Sequence, residues 1–292
     1  MKALVFKIPV IEDCSVYTQE DDLPYFYDHL HLHPEIQLTL ILKGTGTVFA
    51  GNFIGNFAPG DIYWIASDQP HLFKCDPAYF APKSLLKAHS LSIYFLKTGI
   101  LGQLFRLPEL GKASDFIWKS KGVYRLRCAP GAGVERAFRE VQASNGSERI
   151  IQFLRLLQEF ISNTTKETLS GEASQTLNEQ ECLRMNEIYQ FTMKHFHEHI
   201  SLEKAAAIAH MTPPAFCRYF KHSTRKTYMH FLNEVRIDHA RKMIRSNKDI
   251  PLSGVAAACG FENASGFTRV FRRITGIAPM SYRKELLKGA AG

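Results

Sequence analysis

The last third of the chain carries one short pattern twice, about fifty residues apart, and this repeat restricts the fold more than any other feature. Residues 201–221 read SLEKAAAIAHMTPPAFCRYFK and residues 251–272 read PLSGVAAACGFENASGFTRVFR. Leu202 aligns with Leu252 and Ala206 with Ala256. After one extra residue in the second turn, Phe216, Arg218 and Phe220 align with Phe267, Arg269 and Phe271. A short Ala-rich helix, a turn and a second helix with an outward arginine form the helix-turn-helix signature. Two copies in one domain are a far more specific signal than one.

Spacing divides each second helix into an inner and an outer face. Phe216 and Phe220, like Phe267 and Phe271, stand at i and i+4 and are expected inward. Arg218 and Arg269 then point outward, with Lys221 and Arg272 three residues on. Arginine bidentate to guanine is the commonest specific contact in the major groove, so these residues are the expected base readers. Pro214, Cys217, Ser265 and Gly266 share the outer face, and Lys226 and Arg273 are expected on phosphates. Ser201 and Asn263 are candidate N-caps, and Thr212-Pro213 opens the helix of the first copy. The first turn of each copy needs positive φ, at His210 and Gly260. Between the copies, residues 227–245 read as one amphipathic helix of roughly 28 Å, near the pitch of one DNA turn.

Charge follows the same division. Residues 180–292 hold 18 basic and 9 acidic side chains, a net +9, while the rest holds 18 and 19, a net −1. A near-neutral front and a basic back fit a sensing domain joined to a polyanion-binding one. The six cysteines (Cys14, Cys75, Cys128, Cys182, Cys217, Cys259) are scattered without a C-x-x-C pair, as expected of reduced thiols in the cytoplasm. The first residues, MKALVFKIP, break their apolar run too early for a signal peptide, and no stretch reaches the roughly 18 apolar residues of a membrane span.

The front of the chain, to about residue 127, alternates with period two around residues 35–42 and punctuates its runs with Gly44-Thr-Gly46, Gly51-Asn52 and Ala58-Pro-Gly-Asp61. From about Gly133 a helical period takes over, with Val134, Ala137, Phe138 and Val141 on one face and Ile150, Ile151, Leu154, Leu157 and Ile161 on the next. The apolar stripe Ile150, Leu154, Leu157, Ile161 is a candidate subunit contact. Residues 162–176, SNTTKETLSGEASQT, are polar and turn-forming, and the interdomain linker is expected at 166–180.

Residues 182–284 resemble the DNA-binding domain of the AraC/XylS family of bacterial transcription regulators. The resemblance rests on residues 231–244 (FLNEVRIDHARKMI), 260–276 (GFENASGFTRVFRRITG) and 279–283 (PMSYR). It departs from the family pattern at Arg225, Gly266 and Ala278, which bears on which bases are read. In the front domain, His31-Leu-His33-Pro-Glu35-Ile-Gln37 with Gly44, then Pro59-Gly60-Asp61 and Pro70-His71, resemble the two motifs of the cupin barrel. Residues 31, 33, 35 and 37 share parity and can face one interior. In metal-binding cupins two His, a Glu and a later His converge; here Gln37 replaces the carboxylate, so no metal and no cofactor are expected. Three readings of His31, His33, Gln37 and His71 stay open: an effector pocket with Tyr25, Trp64 or Tyr63 stacking on the ligand, a metal-dependent isomerase or dioxygenase fused to a DNA-binding domain, or satisfied core residues.

The implied chain is α+β. Residues 1–165 form a cupin-like β-barrel with flanking helices that binds effector and pairs subunits. Residues 181–289 form an all-α domain of about seven helices with helix-turn-helix units at about 202–222 and 252–274. The implied partners are double-stranded promoter DNA, a small-molecule effector such as a sugar, a second copy of the chain, and RNA polymerase. No enzyme activity is expected of this first reading.

Overall fold

The computed structural model describes residues 14–129, 131–170, 179–224, 226–247 and 249–288. The chain divides between Leu183 and Arg184 into two compact units. Arg225, the side chain of Cys182 and the linker segment 171–178 lie outside what is described.

The front unit is built on two facing sheets. The larger runs β1 (Val16–Leu23), β7 (Ala88–Phe95), β2 (Ile36–Lys43), β5 (Asp61–Ile65), β8 (Val123–Arg127) and β9 (Glu167–Ser170) in that spatial order. The smaller runs β4 (Phe53–Phe57), β3 (Gly46–Ala50) and β6 (His71–Cys75). Alternation on β2 sends Ile36, Leu38 and Leu40 to one face, and Gln37, Thr39 and Ile41 to the other. Both faces are buried, because the second sheet covers one and helices cover the other. Between the sheets Ile41, Val48, Phe57, Tyr63, Ile65 and Phe73 form one core. On the outer face Leu38, Trp64, Ile93 and Phe95 pack with α3 (Gly133–Ala143) and α4 (Gly146–Ser162).

Three features here differ from the sequence expectations. Two short helices, α1 (Gly99–Leu104) and α2 (Gly111–Lys119), lie within the stretch read as strands. The inner face of α3 is the expected one, but α4 buries Phe153, Leu156, Leu157 and Phe160. Ile150, Leu154 and Ile161 are only partly covered, against the chain's own core, and Ile151 is exposed. The expected subunit stripe is therefore largely spent on its own sheet. Finally, residues 167–170 are not linker: β9 pairs antiparallel with β8 and is pinned by the Arg125–Glu167 ion pair at 2.5 Å.

The back unit is all helix: α5 (Glu179–His195), α6 (Leu202–Ile208), α7 (Pro213–Thr224), α8 (Tyr228–Ser246), α9 (Leu252–Ala258), α10 (Ala264–Thr275) and α11 (Pro279–Lys288). Helices α6 and α7 form the first helix-turn-helix, and α9 and α10 the second. Their turns are closed by the same pair of bonds. His210 N donates to Ala207 O and Met211 N to Ala206 O; Gly260 N donates to Ala257 O and Phe261 N to Ala256 O. This is the Schellman termination, which requires a left-handed residue, supplied by His210 (φ 53°) and Gly260 (φ 75°). Ser201 accepts from Lys204 N and Asn263 from Gly266 N, so both expected caps form.

Helix α8 carries both copies. Tyr228 and Phe231 pack on Phe216 and Phe220, whereas Ile237, Ala240 and Ile244 pack on Phe267 and Phe271. All four repeat phenylalanines are buried, each contributing about 1.5–3 kcal/mol by area removed from water. Buried Arg236, midway along α8, donates to the carbonyls of Phe196 and Glu198 at 2.8 and 2.7 Å. A Cβ at Gly260 would stand 2.7 Å from that Phe196 oxygen, so the second turn rests directly on the loop that Arg236 grips.

Candidate functional site

Each recognition helix presents one outward row. On α7, Pro214, Cys217, Arg218, Lys221 and His222 are exposed; on α10, Ser265, Thr268, Arg269, Arg272 and Arg273 are. The rows superpose under a shift of 51 residues, and this offset adds Thr268 and His222 to the expected set. Among the described residues, none of Arg218, Lys221, Arg269, Arg272 and Arg273 has a carboxylate partner. On α10, Ala264, Ser265, Thr268, Arg269, Arg272, Arg273 and Gly276 line an open groove. Gly266 is half-buried and its amide is taken by the Asn263 cap, so it serves the helix start and not the outer face.

Lys226 departs from its expected role. Its Nζ lies 2.6 Å from Glu234 Oε1 and is mostly covered, so its charge is already neutralised within the domain. Lys221→Ala should therefore reduce the salt dependence of DNA binding by about one ion, while Lys226→Ala should leave that slope unchanged. Affinity titrations at several salt concentrations check this.

In the front unit the register of three neighbouring strands builds a cavity of about 240 Å³. Gln37 pairs with Tyr94, Thr39 with Ser92 and Ile41 with Ser90 across β2 and β7, while Gln19 pairs with Ser92 and Asp21 with Ser90 across β1. One parity class on each strand thus lines the cavity, closed by His71 and Phe73 of β6 and by Phe26, Tyr27 and His31. Among the described residues its lining includes no lysine or arginine, and Asp21 is its only carboxylate. The polar members are chained: Gln37 Nε2 donates to Thr39 Oγ1 at 2.6 Å, which meets Ser92 Oγ at 2.9 Å.

His31, His33, Gln37 and His71 do come together. The Nε2 atoms of His33 and His71 lie 3.0 and 2.9 Å from Gln37 Oε1, and the His31 and His71 ring centroids are 4.3 Å apart. One potential ligand atom from each histidine lies within 4.8 Å of the other two. Loss of hydration lowers His31 to about 4, lowers His33, and drives His71 well below the usual imidazole value with help from the neighbouring rings. The rings are uncharged at neutral pH.

The expected aromatic platform is corrected. Trp64 faces the helices, fully buried against Phe95, Phe116 and Phe160, because it pairs with Leu38 and shares that residue's face. Tyr63 points between the sheets and donates to Asp61. Tyr25 stands outside the cavity, its ring tilted against that of Phe80 with centroids 4.5 Å apart. Tyr27 and Tyr94 line the cavity instead.

Comparison with known proteins fits this division. Residues 13–81 match the AraC-like ligand binding domain and residues 205–285 match the helix-turn-helix domain. The chain belongs to the AraC/XylS family. It is similar to the HTH-type transcriptional regulator YobQ of Bacillus subtilis strain 168, 34% identical over 92 residues, which cover 32% of this chain and 38% of that one. It is also similar to an HTH-type transcriptional regulator of Staphylococcus aureus strain MSSA476, 26% identical over 166 residues, covering 56% of this chain and 21% of that one. The chain thus spans well under half the length of these relatives. Among solved structures it is similar to the DNA-binding domain of AdpA in complex with a target DNA, 29% identical with a TM-score of 0.32, covering 34% of this chain and 88% of that one. It is also similar to ToxT from Vibrio cholerae O395, 12% identical with a TM-score of 0.36, covering 93% and 98%. Among the described residues no helix is long and apolar enough to cross a membrane.

Proposed function

We propose that this AraC/XylS-family chain is a ligand-responsive, sequence-specific regulator of transcription. The carrying observation is the pair of superposable outward rows, each with an arginine at the same helical phase and no carboxylate partner among the described residues. A surface charge with a structural purpose, such as Lys226, is paired; these are not. Arg218 and Arg269 read bases, with Lys221, Arg272 and Arg273 on bases or phosphates. The protein works on promoter DNA in the cytoplasm and reaches RNA polymerase there.

The front cavity takes the effector. A lining of hydroxyls, an amide and uncharged imidazoles, without a basic residue, suits a small neutral hydroxylated molecule such as a sugar better than a carboxylate or phosphate. His31, Gln37 and His71 hold its polar groups, with Tyr27 and Tyr94 beside them. His33 acts from behind, through Gln37.

Subunit pairing is proposed on narrower ground than the full α4 stripe, since only Ile151 and the partly covered edges of Ile150, Leu154 and Ile161 remain there to meet a partner. The test titrates the full chain with sugars and other neutral polyols, following tyrosine and tryptophan fluorescence, DNA affinity and sedimentation together. A saturable signal that shifts DNA affinity supports the sensor. A strict monomer at tens of micromolar removes the pairing.

A further inference from the structure

A second groove borders the outward row of α10. It lies between the loop that leads into α6, the middle of α8, and the turn and start of α10. Met229, Asn233 and Arg236 stand about one helical turn apart and give it one stripe of α8. The stripe falls where α8 passes from packing on the first copy, through Tyr228 and Phe231, to packing on the second, through Ile237, Ala240 and Ile244. Arg269 lines both this groove and the open one along α10, so the two are continuous. Its rim is held in place. Arg236 grips the carbonyls of Phe196 and Glu198, and the turn at Gly260 rests against the backbone of His197. His197 and His199 are thus presented, exposed, from a fixed loop. Among the described residues, the side chains of His199 and Asn233 have no hydrogen-bond or charged partner. His197 Nε2 stands 3.9 Å from Glu198 Oε1, an oxygen that His195 already holds at 2.7 Å. Among the described residues Glu262 is the lining's only carboxylate, against Arg236 and Arg269. N–H donors without an internal acceptor, on a rim with net positive charge, suit an anion.

We propose that this groove holds the phosphate backbone of the spacer, the stretch of duplex between the bases read by α7 and those read by α10, with His197, His199 and Asn233 donating to its phosphates. The proposal deepens the reading of α7 and α10 as base readers and rests on it for where the spacer lies. The 19 residues of α8 span roughly 28 Å, close to the ~34 Å of one DNA turn. Two helices in successive major grooves on one side of a duplex leave a minor groove between them, walled by two phosphate ribbons. A duplex seated on both outward rows therefore runs past the α8 stripe, and continuity through Arg269 carries it from one groove to the other. Contacts here fix the register of the duplex between the two readers and carry no base preference of their own.

The test uses the full-length chain and a duplex bearing the site that this chain selects from a random pool. His199→Ala and Asn233→Ala should each weaken binding about 3–10-fold, the range for one hydrogen bond, with base preferences unchanged. Asn233→Lys adds a cation to the groove, and it should tighten binding and steepen the salt dependence by about one ion. This gain guards against loss through misfolding. Methylphosphonates, which remove a phosphate charge, are then placed one at a time in the spacer. They should weaken binding by the parent chain and cost the double variant His199→Ala, Asn233→Ala much less. The proposal is overturned if the substitutions leave affinity unchanged, or if spacer methylphosphonates cost parent and double variant the same factor. It is overturned equally if either alanine variant changes which bases are preferred, since its residue would then be a reader. If the chain selects no sequence, the base-reading assignment fails, and the same titrations are made on a duplex of random sequence. Tighter binding by Asn233→Lys and weaker binding by His199→Ala on that duplex leave the groove contact standing; unchanged binding removes it too.

Discussion

Arg218→Ala and Arg269→Ala should each weaken binding to the cognate DNA by about 1–3 kcal/mol, and each should relax preference at its own cluster of bases. Both residues lie on exposed faces of helices whose opposite faces are fixed by buried phenylalanines, so truncation removes a contact without disturbing packing. The two losses should add, because the arginines occupy different helix-turn-helix units and share no partner. In the double variant only sequence-independent attraction by the remaining lysines and arginines should persist, strongly dependent on salt. Competition binding with the selected site and with scrambled DNA measures both effects. Unchanged discrimination in the double variant would show that α7 and α10 do not read the sequence.

Trp64→Ala should cost the front unit about 3–5 kcal/mol, the range for deleting a fully buried large aromatic side chain. Its ring is enclosed by Phe95, Phe116 and Phe160, with centroids 5.8, 4.9 and 5.8 Å away. Its Nε1 has no hydrogen-bond partner among the described residues, so Trp64→Phe loses little beyond volume. Chemical denaturation followed by circular dichroism is the check. An alanine variant as stable as the parent, yet deaf to ligand, would instead place Trp64 in the binding site.

The helical half was legible in the sequence because its signals are local. Helix periodicity placed the four phenylalanines inward, capping chemistry located Ser201 and Asn263, and the demand for positive φ singled out His210 and Gly260. A strict 51-residue shift would also have yielded Thr268 and His222. The barrel was legible only in outline. The motif around His31 and His71 located the polar cluster, but the neighbours of that cluster depend on strand register, which is set by pairing across 50 or more residues, as between Gln37 and Tyr94. Hence the sequence does not single out Tyr94, and it leaves the face that Trp64 occupies open to the wrong choice. The phase of α4 failed for a related reason: Ile150, Leu154, Phe153 and Phe160 offer two overlapping apolar stripes, and only the sheet beneath selects one. The polar stretch after residue 162 hid β9, whose pairing relies on Arg125, a residue 42 positions away from Glu167.

Selection of bound duplexes from a random pool by the full-length chain tests the central claim most directly. The expected outcome is a site with two conserved blocks about one helical turn, roughly 10 base pairs, apart on one side of the duplex. Repeating the selection with Arg269→Ala should erase one block and keep the other. Enrichment of no sequence, or of a single block that survives in Arg218→Ala and Arg269→Ala alike, would contradict the assignment of two reading helices.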